Sequence, residues 1–305
     1  MSPAVSLVMP AWRPRPDWLR AAVASALDER ACEIELIVVD DGSDEPVAEL
    51  LRDVDDPRLR VIRVGHGGPY AARNAGIAAA AGEFLRFVDA DDIVESGSTG
   101  RLLERARQDP GALVYGATLM CDVDLTPQRT VTSDSEGWVE EQCVLGGFDV
   151  YLVSILFPRA VVERAGPWEE TRFAVSGDWD FVLRAIEQAP VRRLDEVVTR
   201  YRRHEASVTK TADVAAGGAA ARLVLGRYFE RHPERRGGDL ERRAYLRVHL
   251  DRARAHAWFG ERRLAARELA AAARLGPLAA ARTAAGWGAD ELRALRDRVR
   301  GARSR

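Results

Sequence analysis

Three carboxylates, Asp89, Asp91 and Asp92, crowd into four positions of the stretch RFVDADDIV (86–94). Like charges packed so closely behind an apolar run are unfavourable unless something positive compensates them. An oxygen-rich cluster of this kind suits a hard ion such as Mg2+ or Mn2+ better than zinc. Two more acidic stretches, DDGSDEP (40–46) and GDWD (177–180), contribute Asp40, Asp41, Asp178 and Asp180. Trp12, in PAW (10–12), adds a flat aromatic face on which a heterocycle can stack. Carboxylates beside an exposed aromatic can hold a metal and a flat heterocycle.

The elements that must position these groups follow from periodicity. VSLVMP (5–10), IELIVVD (34–40), RLRVIRV (58–64) and EFLRFVD (83–89) have the apolar runs of strands. Between them, 17–29, with Pro16 at its start, PVAELLRDV (46–54) and YAARNAGIAAAA (70–81) have helical character. Strands alternating with helices predict an α/β layer on a mainly parallel sheet, and such sheets bind ligands at the carboxyl ends of their strands. Pro10 and Trp12, the DDGS turn and the DADD cluster all fall at those ends. Further on, a helix is expected at 99–108, a strand at ALVYGATL (112–119) and a polar, turn-rich region over 121–137. DWDFVLRAIEQ (178–188) is again a helix, with Trp179, Val182, Leu183 and Ile186 on one face. Neighbours at i and i+2 on a helix point about 200° apart, so only one of Asp178 and Asp180 can face a cleft.

The whole chain has 305 residues, 47% hydrophobic and 30% charged, proportions of a folded protein with a sizeable core. No apolar run approaches the roughly 20 residues of a bilayer span, and the N-terminus enters a strand without a charged leader, so the expected location is cytoplasmic. The three cysteines, Cys32, Cys121 and Cys143, form no CxxC pair and are expected to be reduced packing residues. Charge divides the chain. Residues 1–210 hold 24 Lys and Arg against 36 Asp and Glu, whereas 211–305 hold 21 against 11. The second part is expected to be a basic helical region, broken at 232–239, Gly260, 275–277 and GWG (286–288). It could cover the first domain, join two copies in a homo-oligomer, or make a peripheral contact with the cytoplasmic face of a membrane. Nucleic acid is not expected as a partner, since no aromatic-studded basic recognition motif is present.

VSLVMPAW, IELIVVDDGSDEP, GGPYAARNAGIAAAAGEFLRFVDADD, SGDWDFVLRA and RYRRHEASVT, in that order and spacing, resemble the GT-A fold, family 2 type glycosyltransferases over about residues 4–210. The resemblance implies a nucleotide-diphospho-sugar transferase domain, Rossmann-like, followed by a helical appendage over 211–305. It implies that Trp12, beside Pro10, stacks on the nucleotide base and Asp41 hydrogen-bonds it, with Arg73 and Asn74 helping to hold the nucleotide. Asp89 then touches the ribose, Asp91 ligates Mn2+ or Mg2+, Asp92 supports it, and His204 completes the metal shell. Asp178 is implied as the general base of an inverting transfer, near a helix N-terminus whose dipole favours its ionised form. Phe157, Trp168 and Glu169 fall in the acceptor-side region. The family's usual Glu is replaced here by Gly177, which implies a changed acceptor pocket or weaker activity.

The expected reaction moves a sugar from a nucleotide sugar, with UDP- or dTDP-sugars favoured, to an acceptor hydroxyl on a saccharide, a lipid-linked molecule or a natural product. A sugar nucleotidyltransferase is an alternative, but PAWRPRPDW lacks the Gly-rich phosphate loop that usually follows the first strand in such enzymes. A non-catalytic nucleotide-binding or scaffold module with the same fold is another.

Overall fold

Apolar runs become strands and amphipathic runs become helices in the expected order as far as the acidic cluster. In the computed structural model, which describes residues 3–204 and 214–285, these are β1 (Val5–Ala11), α1 (Pro16–Leu27), β2 (Ile34–Asp41), α2 (Val47–Leu50), β3 (Leu59–Val64), α3 (Pro69–Ala79) and β4 (Phe84–Phe87). There follow β5 (Ile93–Val94), α4 (Ser98–Gln108), β6 (Leu113–Cys121), β7 (Pro127–Val131), α5 (Glu140–Val144), β8 (Ile155–Pro158), α6 (Arg159–Ala165), α7 (Gly177–Ile186) and β9 (Val191–Arg202). The chain divides into two compact units, Met1–Thr211 and Ala212–Arg305.

Nine strands of the first unit form one sheet in the order β3-β2-β1-β4-β8-β6-β9-β5, with β7 beside β6. The sheet is mixed. β1–β2, β1–β4, β2–β3 and β6–β9 pair parallel, whereas β4–β8, β5–β9, β6–β7 and β6–β8 pair antiparallel. Its parallel half is covered on both faces, as parallel strands require. On β2, Leu36 and Val38 enter the cluster that contains Leu19 and Val23 of α1, whereas Ile37 and Val39 pack with Ala72 of α3. Each such side chain removed from water contributes about 1.5–3 kcal/mol.

Several expectations need correction. The helix expected over 46–54 is the four-residue α2, because the acids Asp53, Asp55 and Asp56 and then Pro57 offer no apolar stripe to bury. The turn-rich region over 121–137 contains β7, an exposed ribbon strand on β6. β9, the longest strand, has charged residues throughout and was hidden for that reason. Trp179 is only half-buried; the buried residues of α7 include Phe181, Val182, Leu183 and Ile186.

β4 carries an unusual core residue. Arg86 is fully buried and donates to Ser98 Oγ at 3.0 Å, Thr99 Oγ1 at 2.8 Å, Val198 O at 2.7 Å and Thr199 Oγ1 at 2.9 Å. Burial pushes its guanidinium down to about 10, so it remains charged at neutral pH. It ties β4, α4 and β9 together behind the acidic cluster.

In the second unit, α8 (Val214–Arg231), α9 (Asp239–Trp258) and α10 (Arg262–Leu275) are followed by helical residues 277–285. The breaks at 232–239, Gly260 and 275–277 fall where helices end or begin; GWG (286–288) and Glu205–Thr209 lie outside the described residues. Among the described residues, no helix is long and apolar enough to cross a membrane.

Candidate active site

The parallel register sets the first shelf of the site. Pro10 pairs with Val39 and Ala11 with Asp40, so the residues after β1 lie beside the DDGS turn after β2. The two acids of that turn do different things. Asp40 is buried and accepts from the Ser43 N–H at 2.8 Å, the Val47 N–H at 3.2 Å and Arg63 Nη1 at 3.0 Å, which makes it a turn-closing residue. Asp41 accepts from the Gly67 N–H at 2.8 Å and the Gly68 N–H at 2.9 Å, and its Oδ2 lies 2.9 Å from His66 Nδ1. Gly42 between them and Ser43 has φ +70°, and a Cβ there would stand 2.9 Å from the His66 nitrogen of the main chain. A side chain at 42 would therefore both strain the turn and push His66 away.

Trp12 is 48% exposed, as a base-stacking residue must be. Its ring stacks on His66, with centroids 4.8 Å apart and planes 18° apart, and the Arg13 guanidinium lies 4.8 Å from its centroid. His66 thus joins Trp12 and Asp41 in the candidate site, which sequence reasoning missed. Its only signal was position, in the VGHGG link just after the third strand.

The acidic cluster after β4 finds a separate partner for each carboxylate. Asp89 accepts from Arg73 Nη2 at 2.8 Å. Asp91 Oδ2 lies 2.8 Å from His204 Nε2. Asp92 is buried and accepts from the Arg202 main-chain N–H at 2.8 Å, while Arg202 Nε donates to the Asp91 carbonyl at 2.9 Å. Burial pushes Asp92 well above the ordinary carboxylate range, with Asp91 and Asp89 adding to the shift. Asp91 is raised as well, by burial first and by Asp89 second, with His204 opposing. Arg73 is buried rather than solvated. Asn74 is used structurally: its Oδ1 accepts from the Trp168 N–H at 2.8 Å, and its Nδ2 donates to Trp168 O at 3.0 Å and Glu170 Oε1 at 2.7 Å.

α7 separates the two acids of GDWD. Asp180 is buried and paired with Arg184 Nε at 3.0 Å, and Arg184 also donates to the carbonyls of Ala165 and Gly166. Asp178 is open to solvent, and its Oδ1 accepts from the Trp179 N–H at 2.9 Å. Desolvation by the nearby protein is the main cause that raises its pKa; the Trp179 N–H and Arg73 oppose the rise, and Asp89 adds to it.

On the acceptor side, Phe157 and Trp168 are core residues. Trp168 is sandwiched between Phe181, 4.1 Å away, and Tyr70, 5.7 Å away, both near parallel; Phe157 meets Phe87 edge-on. Neither is free to contact a sugar. Glu169 is half-buried. Among the described residues, no three His, Cys, Asp or Glu side chains are grouped to hold a metal by themselves.

Residues 6–148 match the family model described as glycosyl transferase family 2. Among curated proteins, an uncharacterized glycosyltransferase of Bacillus subtilis, EpsJ, is 33% identical over 223 residues, 69% of this chain and 64% of its own length. An uncharacterized glycosyltransferase of Haemophilus influenzae is 26% identical over 53% of this chain and 64% of its own length. This chain therefore covers less than two thirds of either relative. The crystal structure of S. aureus TarS in complex with UDP-GlcNAc superimposes over 85% of this chain and 73% of that one, with a TM-score of 0.62 at 17% identity, a likeness of fold. The matched residues run through all the strand ends that gather Trp12, Asp41 and the Asp89–Asp92 cluster, and this stretch of the chain is a glycosyl transferase family 2 domain on a GT-A fold.

Proposed function

We propose that the protein transfers a sugar from a nucleotide-diphospho-sugar to an acceptor hydroxyl with inversion, and that Asp178 is the general base. The observation that carries this reading is the contrast between two acids on one helix turn. Asp180 is consumed by an ion pair in the core, whereas Asp178 stands solvent-accessible under the electrostatic influence of Arg73 and Asp89. In the transfer, Asp178 takes the proton of the acceptor hydroxyl as its oxygen forms the new bond to the anomeric carbon. The bond from that carbon to the diphosphate oxygen breaks on the opposite face, and the nucleoside diphosphate leaves with the electron pair.

Trp12 and His66 supply the aromatic surface for the base, and Asp41 holds the loop that carries His66. Base stacking on such a surface contributes about 1–3 kcal/mol. Arg73 and Asp89 orient the ribose side. Asp91 and His204 fit a divalent ion such as Mn2+ or Mg2+, since a carboxylate oxygen and an imidazole nitrogen already converge to 2.8 Å. Such an ion, with remaining ligands from the donor's diphosphate, would neutralise charge on the leaving group. A uridine donor is the first choice, because TarS was crystallised with UDP-GlcNAc.

In the second unit, Trp258 and Phe259 are 86% and 67% exposed at the turn after α9, beside exposed Arg254, Arg262 and Arg263. Aromatic rings among arginines favour a peripheral contact with an anionic lipid surface.

The deciding experiment incubates the protein with Mn2+ and a panel of UDP- and dTDP-sugars and measures release of nucleoside diphosphate. Release that persists unchanged in Asp91→Asn and Asp178→Asn would overturn the reading.

A further inference from the structure

Gly177 is the first residue of α7 and immediately precedes Asp178. A Cβ built on it would lie 2.5 Å from Tyr70 Cζ, 2.7 Å from Cε1 and 2.8 Å from the hydroxyl. No real side chain tolerates that approach, and the obstacle cannot swing away. Tyr70, on the first turn of α3, is buried, and its ring stacks on Trp168, which stacks in turn on Phe181 of α7 itself. The tyrosine hydroxyl accepts a 3.0 Å hydrogen bond from the Gly177 N–H, one of the main-chain donors that a helix start leaves without an intrahelical acceptor. Ser176, directly before it, is held at φ 65°, a conformation that costs a non-glycine residue about 1–3 kcal/mol and persists only where neighbouring contacts enforce it.

We propose that Tyr70 is a positioning residue for Asp178: its phenol caps the start of α7, holds the strained Ser176–Gly177 link, and fills the space at 177 that a side chain would occupy. The proposal rests on the reading of Asp178 as the base. The electrostatics agree, since Asp178 is among the groups that raise the Tyr70 hydroxyl, after burial. Tyr70 acts through the main chain of its neighbour.

The test compares the full-length parent with Tyr70→Phe, Gly177→Ala and Asp178→Asn. Amide hydrogen exchange at 177–180 is expected to be about fivefold faster in Tyr70→Phe, the loss of one hydrogen bond of about 1 kcal/mol, while exchange in α1 is unchanged. Release of UDP from UDP-GlcNAc or the best donor of the panel, with Mn2+, is expected to lose about tenfold in kcat at unchanged donor KM. Gly177→Ala is expected to be less stable than the parent, and a Tyr70→Ala change in the same chain to remove most of that penalty. Unchanged exchange in Tyr70→Phe, or a Gly177→Ala protein as stable and active as the parent, would overturn the proposal even where Asp178→Asn is inactive. An Asp178→Asn protein as active as the parent would instead overturn the reading beneath it, whatever the exchange shows.

Discussion

Asp178 and Asp180 stand two residues apart, and replacing each by Asn should give opposite outcomes. Asp180 is 1% exposed and meets Arg184 at 3.0 Å. Asn in its place keeps the shape but removes the carboxylate charge that meets the guanidinium. Removing one partner of a buried pair costs about 3–5 kcal/mol. Because Arg184 keeps the carbonyls of Ala165 and Gly166, the lower end applies, about 3 kcal/mol. For a unit of this size, that lowers the melting midpoint by roughly 6–12 °C. Asp178 behaves differently. Its folded pKa lies above the unfolded one, so its contribution to stability is present below the unfolded value and is lost as pH climbs through the folded one. At neutral pH the ionised group is a liability to the fold, and Asp178→Asn should melt at or above the parent's midpoint. As the loss of a general base, the same change should reduce transfer by about 10²–10⁴-fold. Circular-dichroism melts and urea titrations of the two variants, with nucleoside-diphosphate release on each, decide the matter. An Asp180→Asn protein that melts with the parent, or an Asp178→Asn protein that melts well below it, would refute the division of labour.

The pH dependence of kcat/KM should have an acid limb set by Asp178, with activity rising as pH passes through a pKa above the ordinary carboxylate value and the limb absent from residual activity in Asp178→Asn. In thermal-shift measurements with Mn2+ and UDP, the parent should be stabilised by about 2.7 kcal/mol at a hundred times the dissociation constant; Asp91→Asn should abolish the Mn2+-dependent part and Trp12→Ala should weaken the UDP part. The thiols should react slowly with Ellman's reagent at pH 8 in the native protein, because burial pushes Cys143 up to about 12 and Cys32 up to about 11; fast labelling of either would contradict the packing. Flotation with vesicles of phosphatidylglycerol should retain the protein and should be lost with Trp258→Ala and Phe259→Ala together; equal flotation of that variant would remove the membrane contact.

What was legible in the sequence is what local pattern encodes. The β-branched run IELIVVD could be little but a buried strand, and its two faces do serve two helices. The acids at the strand ends were legible because a parallel sheet brings those ends together whatever the intervening lengths. β9 was hidden because its alternating charges suit a strand whose outward side chains find acids elsewhere, as Arg200 finds Glu95 and Arg193 finds Asp134. Trp168 and Phe157 were ambiguous because an aromatic looks the same in sequence whether it faces a ligand or a core. The stack on Phe181 decides for the core. His66 and Tyr70 were invisible for the opposite reason: their importance lies in what they touch across a long span of chain, Trp12 in one case and Gly177 in the other.

The same limit applies to RFVDADDIV, and there the structure changes the chemistry expected. A divalent ion looked like the natural counter-charge for three adjacent acids, yet the protein itself supplies a partner to each. Arg73 comes from α3, the Arg202 N–H from the end of β9, and His204 from just beyond it. Asp92, raised well above the usual range by burial first and by Asp91 and Asp89 next, spends one oxygen on the Arg202 N–H. A cation binding between Asp91 and His204 would replace their mutual 2.8 Å contact with bonds to both. Its net gain is thereby reduced, and the donor's diphosphate must contribute the rest of the binding. Ion and nucleotide sugar are therefore expected to bind together, each strengthening the other by the same factor, which ties metal occupancy to the presence of the substrate it serves.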